Sequence, residues 1–213
     1  MDMHHPGPMW AERYGAAPTV YGFGPNAFFA QHLKGLSVGR LLLPGDGEGR
    51  NACYAAEQGW SVRSFDASEV GVRKSRQWAA ERGVQIAAEV GDCRTWEPGE
   101  AFDVIGLFYL HLPSDMRPGF HARVPTWLKP GGRIILEGFG PGQLQYASGG
   151  PKREDMLFTP DMMEADFSGL EMEQCETLQV ELDEGPFHQG RAEVTRMVAR
   201  RPLDGFTNPD FGR

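Results

Sequence analysis

Apolar positions along the chain come in short solid runs separated by stretches of helical period. Leu41-Leu42-Leu43 is apolar on both faces, and Ser61 to Phe65 ends at Asp66. Val84, Ile86, Ala88 and Val90 alternate, Asp103 to Leu110 forms a fourth run, and Arg133 to Phe139 a fifth. Strands buried on both faces read in this way, whereas one-sided strands alternate throughout. Between them, Arg50 to Gln58 reads as a helix stopped by Gly59. Ser68 to Arg82 reads as another, with Ser68 at the N-cap and Gly83 beyond the end. Pro118 and Pro125 split the segment before the fifth strand, predicting two short helical pieces. Thr159-Pro160-Asp161 opens a helix with a cap and a proline in its first turn.

Strand–helix alternation implies right-handed crossovers and a parallel sheet covered on both faces. The rhythm then breaks. Glu171 to Glu181 and Arg191 to Arg200 are strand patterns separated only by Leu182 to Gly190. That connection is too short for a crossover helix, so the pair is expected to form an antiparallel hairpin. Seven strands result, mostly parallel, with the hairpin last.

The chain has 213 residues, the size of one α/β domain, expected over 10–201 with turn-rich, mobile ends at 1–9 and 202–213. Its 21 basic and 29 acidic side chains leave a net charge of −8, which argues against a nucleic-acid partner. No apolar run reaches the ~20 residues of a membrane span, and the first residues lack a secretory pattern. Cys53, Cys93 and Cys175 are odd in number and widely spaced, which points to a reducing cytoplasm rather than disulfides or a metal site. His4, His5 and His121 lack ligand spacing and read as surface residues.

The first strand runs into Gly45-Asp46-Gly47-Glu48-Gly49-Arg50-Asn51 and then a helix. Such glycines permit tight turns and close approach of a ligand to the backbone. The dinucleotide spacing G-x-G-x-x-G needs a third glycine where Arg50 stands, or where Ala52 stands if begun at Gly47. No phosphate-cradling Gly-Lys-Ser/Thr follows either. Two loop carboxylates, Asp46 and Glu48, suit a cationic or zwitterionic cofactor better than a pyrophosphate. Asp66 lies 21 positions after Gly45, where an acid can accept from both ribose hydroxyls; the alternative is a helix cap. Asp92, in Gly91-Asp92-Cys93, reads as an acceptor for an exocyclic amine or as the cap of the next turn.

Together, the Gly-x-Gly-x-Gly loop, the acid after strand two and the Gly-Asp after strand three resemble the class I S-adenosylmethionine-dependent methyltransferases. Phe102-Asp103-Val104-Ile105, Leu128-Lys129-Pro130-Gly131-Gly132 and the terminal hairpin belong to the same likeness. A narrower likeness is to the tellurite-resistance-type branch. It rests on Trp10-Ala11-Glu12-Arg13-Tyr14, Gly47-Glu48-Gly49-Arg50-Asn51, His111-Leu112-Pro113, Gly149-Gly150-Pro151-Lys152 and Glu184-Gly185-Pro186-Phe187-His188-Gln189-Gly190. The resemblance implies a Rossmann-like sheet, S-adenosylmethionine as cofactor and S-adenosylhomocysteine as product. It implies cofactor contacts from Gly45, Asp46, Gly47, Asp66, Ala67, Asp92, Cys93 and Phe108. Leu43 departs from it, because family members commonly carry an acid there to hold the methionine amine.

Ligands of open α/β sheets sit outside the carboxyl ends of the strands. His111, after strand four, is therefore a candidate catalytic residue or else a structural histidine. Tyr14, with Trp10, either folds over the pocket or packs the first helix. The irregular segment Gly140 to Thr159, bearing Gln143, Tyr146, Lys152 and Arg153, is expected to form a substrate-facing lid. His188 and Arg191 in the hairpin turn are candidate acceptor-binding residues, unless Arg191 pairs with Glu184 or Asp183 on the surface. The acceptor is expected to be a small molecule: a chalcogen oxyanion, a thiol or an amine. A protein that binds the cofactor without turnover, or less favourably an NAD-dependent oxidoreductase, is the alternative.

Overall fold

The computed structural model describes residues 6–203. Strands β1 (Arg40–Pro44), β2 (Ser61–Asp66), β3 (Ala87–Val90), β4 (Phe102–Phe108), β5 (Leu128–Phe139), β6 (Glu171–Asp183) and β7 (Gln189–Arg200) form one sheet. Its order is β3-β2-β1-β4-β5-β7-β6. The first five strands pair in parallel. Strand β7 inserts antiparallel between β5 and β6, so β6 runs in the same direction as the first five. The carboxyl end of β6 therefore lies on the same sheet edge as the glycine loop.

Helices α1 (Gly7–Gly15), α2 (Ala27–Leu33), α3 (Arg50–Glu57), α4 (Glu69–Glu81), α5 (Arg117–Arg123) and α6 (Pro160–Asp166) surround the sheet. Leu41 and Leu43 enter the core on one face with Phe28, Phe29 and Ile135. Leu42 enters the opposite core with Phe65, Ile134 and Leu136. A solid apolar run is thus used on both faces, as a covered parallel strand requires. Ser68 accepts from the Gly71 N–H and Thr159 from the Met162 N–H, so both expected caps are in place. Helix α5 gives way at Pro125 to a 3₁₀ turn, Val124–Trp127, as the two prolines predict.

Three expectations are corrected. Helix α1 begins at Gly7, inside the end expected to be mobile, because Tyr14 on its inner face is buried against Gly47 and Gly71. The rest of those ends, with His4 and His5, lies outside the described residues. His121 is buried, not superficial. Its Nδ1 lies 2.7 Å from Asp166, whose carboxylate also accepts from Arg117 at 2.8 Å. The segment after β5 is not a lid over the cleft. Gln143 is buried and fastens it to β7 through the Glu193 N–H, while the Ser148 hydroxyl donates to the Arg191 carbonyl. Lys152 and Arg153 are exposed, and Arg153 pairs with Asp155.

Helix α3 depends on one left-handed residue. Gly49 has φ of +85°, and a Cβ there would collide with Ser75 of α4, lying only 2.6 Å from its Cβ. Gly49→Ala combines backbone strain with a clash between two helices. It should lower unfolding free energy by on the order of 2–3 kcal/mol, read as a shifted urea midpoint; an unchanged midpoint would show that α4 gives way.

Candidate active site

The carboxyl ends of β1, β2, β3 and β4 open into one cleft, roofed by α1 and by the turn between β6 and β7. Asp46 supplies its most unusual group. Oδ2 accepts from the Ala52 N–H at 3.1 Å, while Oδ1 is buried without a hydrogen-bond partner. Burial raises its pKa to about 7, against the opposing pull of the Ala52 N–H and Arg50. A buried carboxylate oxygen left unpaired is costly and is ready to accept from a bound hydroxyl or ammonium.

Glu48 does not share this position, which corrects the expectation of two loop acids facing a ligand. It turns the other way, accepting from the Val20 N–H at 2.8 Å and pairing with Lys74 at 2.8 Å. Gly47 also lies behind the cleft wall. Its N–H donates to Asp66 Oδ2 at 2.9 Å, and Tyr14 covers it so closely that no side chain fits.

Asp66 is both a structural bracket and a cleft residue. Oδ1 accepts from the Ser68 N–H at 2.8 Å, and each oxygen keeps a second lone pair. Burial raises its pKa to about 6. Gly45, Ala67, Asp92, Cys93 and Phe108 line the same cleft, as do Trp10 and Tyr14. Asp92 also caps its turn, accepting from the Arg94 N–H at 2.8 Å and pairing with that guanidinium.

At the other end the walls are aromatic. Tyr109 follows β4 with φ of +53°, the only positive φ outside glycine among the described residues. Its hydroxyl donates to Glu137 at 2.9 Å, and its ring meets His188 with centroids 4.4 Å apart. Tyr21 closes on the opposite side of His188 at 4.5 Å.

His111 also lines the cleft, but both of its ring nitrogens are engaged. Nδ1 bonds the Met156 carbonyl at 2.7 Å, and Nε2 accepts from the Phe139 N–H at 3.0 Å. Burial lowers its pKa to about 4. A neutral ring with both nitrogens engaged has no free lone pair to take a proton, so the candidate catalytic histidine is structural. Arg191 is corrected too. It is exposed on β7, opposite Glu181 and away from the cleft, because side chains alternate along a strand. Glu184, its expected partner, pairs instead with Arg50 at 2.8 Å.

That pair belongs to a buried network which spacing did not reveal. Asn26 donates to Glu137 at 2.5 Å and to Glu184 at 3.2 Å, and Arg196 pairs with Glu137 at 2.5 Å. The partners stand up to 158 positions apart, and their only signal is a charged residue inside otherwise apolar or glycine-rich runs.

A methyltransferase-domain family matches residues 42–132. A probable thiol methyltransferase 2 of Arabidopsis thaliana is 30% identical over 152 residues, covering 68% of this chain. The chain spans 66% of that relative, just under two thirds. A solved structure concerned with the conversion of a disulfide bond into a thioacetal group during echinomycin biosynthesis superposes with a TM-score of 0.76. It is 19% identical and matches 95% of this chain and 94% of its own. TehB from Haemophilus influenzae superposes with a TM-score of 0.66 at 17% identity, over 90% of this chain and 65% of its own. Those two likenesses show the fold. The matched methyltransferase-domain stretch and the likeness to the thiol methyltransferase make the chain similar to the class I S-adenosylmethionine-dependent methyltransferases.

The cleft fits that cofactor. The unpaired Asp46 oxygen and the spare lone pairs of Asp66 suit an ammonium and a ribose, and both acids favour a cation.

Raised carboxyl pKa values give this site a pH signature. An acid whose folded pKa exceeds 3.8 stabilises the ligand-free protein most when protonated, and that contribution fades as pH rises through about 6 to 7. A cationic ligand prefers the ionised acids, so S-adenosylmethionine affinity should rise over the same window, with protons released on binding. Calorimetry in buffers of different ionisation enthalpy measures both. Asp46→Asn should flatten the pH dependence and weaken binding by about ten- to a hundredfold. Unchanged affinity would remove Asp46 from the site.

Proposed function

We propose that the protein methylates a small thiol, using S-adenosylmethionine held between Asp46 and Asp66. The observation that carries this reading is the aromatic end of the cleft. Its walls are Tyr21, Tyr109 and His188, and Arg50, the one lysine or arginine among the described lining residues, is already paired with Glu184. An oxyanion arriving there would give up its hydration for no available cation, whereas a sulfur nucleophile is soft and weakly hydrated. The likeness to a probable thiol methyltransferase supports the same choice.

In this reading Asp46 Oδ1 takes the place of the acid missing at position 43 and receives the methionine amine. Asp66 receives the ribose hydroxyls, and Ala67, Asp92 and Cys93 border the adenine. Bound S-adenosylmethionine supplies a methyl group already activated by its sulfonium charge. What the chain adds is alignment and exclusion of water, the terms that govern such a displacement. Tyr14 and Tyr21 cover the cleft from above, and Tyr109 forms the floor beside the acceptor. The charge of −8 disfavours a nucleic-acid acceptor.

Transfer of labelled methyl from S-adenosylmethionine to alkyl thiols, aromatic thiols, tellurite, selenite and small amines tests the reading. Thiols should turn over at least about a hundredfold faster than the rest, a gap of near 2.7 kcal/mol. Faster turnover of tellurite or an amine would overturn it.

A further inference from the structure

The cleft contains a histidine placed for proton transfer, and it is not the one that follows β4. His188 sits at the end of the turn from β6, buried to 4% exposure, with its backbone N–H on the Gly185 carbonyl at 3.1 Å. Its Nδ1 lies 3.4 Å from Glu184 Oε2. That carboxylate is itself fixed, by Arg50 at 2.8 Å and Asn26 at 3.2 Å. A carboxylate beside an imidazole only accepts, so the ring proton resides on Nδ1 and Nε2 carries the bare lone pair. Among the described residues Nε2 has no hydrogen-bond partner. Room for this edge of the ring comes from Gly149, where a Cβ would approach Cδ2 to 2.9 Å and Nε2 to 3.3 Å.

We propose that His188, oriented by Glu184, accepts the thiol proton of the methyl acceptor at Nε2. The S–H bond breaks toward the imidazole, and the freed sulfur pair forms the new S–C bond. The methyl carbon's bond to the sulfonium sulfur breaks, its pair stays on that sulfur, and the imidazolium later gives the proton to water. Glu184 stabilises the imidazolium and Arg50 opposes it, with Glu137 of β5 adding to the carboxylate side. Tyr21, Tyr109 and His111 complete the surroundings, the two phenols neutral and His111 locked. Burial favours the neutral imidazole in the resting protein, the form a base requires.

This inference rests on the thiol reading, and two thiol classes separate their fates. An aromatic thiol is largely ionised near neutral pH and gains little from a base, whereas an alkyl thiol must lose its proton. His188→Gln should slow the alkyl thiol by about a hundredfold or more relative to its effect on the aromatic thiol. His188→Phe, which keeps a ring between Tyr21 and Tyr109, should do the same. The alkyl-thiol kcat/KM of the wild type should rise with pH as one imidazole loses its proton, a limb that both variants lack. Equal losses on the two thiols, or the same pH limb in both variants, would make His188 a wall residue and leave the thiol reading intact. Failure of the wild type to methylate any thiol would overturn both.

Discussion

A buried ion pair, Arg50 with Glu184, holds the functional half of the molecule together. The two residues are 134 positions apart, one opening α3 behind the glycine loop and the other in the turn leaving β6. Buried ions keep their charge only if each is paired and hydrogen-bonded, and removing one partner typically costs about 3–5 kcal/mol. The constraint is therefore mutual. The turn cannot leave the cleft without stranding Arg50, and α3 cannot shift without stranding Glu184. Asn26 extends the constraint to Glu137, and Arg196 carries it into β7. The segment before α2 is fixed as well, since Arg50 donates to the Tyr21 carbonyl and Glu48 accepts from the Val20 N–H. Every wall of the aromatic end of the cleft is thus tied to one network.

The sheet was largely legible from sequence because its determinants are local. Solid apolar runs, glycine stops and the short link between the last two strands specify strands, helices and hairpin without knowledge of contacts. Cleft-lining residues at the strand ends were legible for a related reason: in a parallel sheet, the residue after each strand must fall on the ligand edge, so position in the chain implies position in space. The aromatic end of the cleft has no such rule. Glu48 and Asp46 occupy one loop, yet only Asp46 faces the cleft, and the choice is made by Val20 and Lys74. His188 and Arg191 occupy one turn, yet a strand begins between them and turns Arg191 outward. His111 read as either a base or a structural histidine and His121 as a surface group; backbone groups claim the first and Asp166 the second.

Arg50 shows how a departure from a motif can carry positive information. Its presence where a dinucleotide fingerprint needs its third glycine, the one that allows close helix–strand packing, argues against a dinucleotide. The structure shows what occupies that space instead: a guanidinium reaching the Tyr21 carbonyl and Glu184. One substitution therefore changes both the ligand the loop tolerates and the reach of the loop toward the last hairpin.

The strained backbone at Tyr109 follows from the same arrangement. A φ of +53° in a tyrosine costs about 1–3 kcal/mol and persists only where its surroundings determine it. Here they do so at both ends of the residue. Its N–H donates to the Glu137 carbonyl at 2.8 Å, and its hydroxyl donates to the Glu137 carboxylate at 2.9 Å. Between those anchors the ring stands against His188 and Phe139 as part of the cleft wall. Glu137 can serve as that anchor because Asn26 and Arg196 neutralise it within the core. The electrostatic division of the cleft follows from this: charge at its aromatic end is consumed in holding the walls. Asp46 and Asp66, at the opposite end, carry the unsatisfied carboxylate capacity.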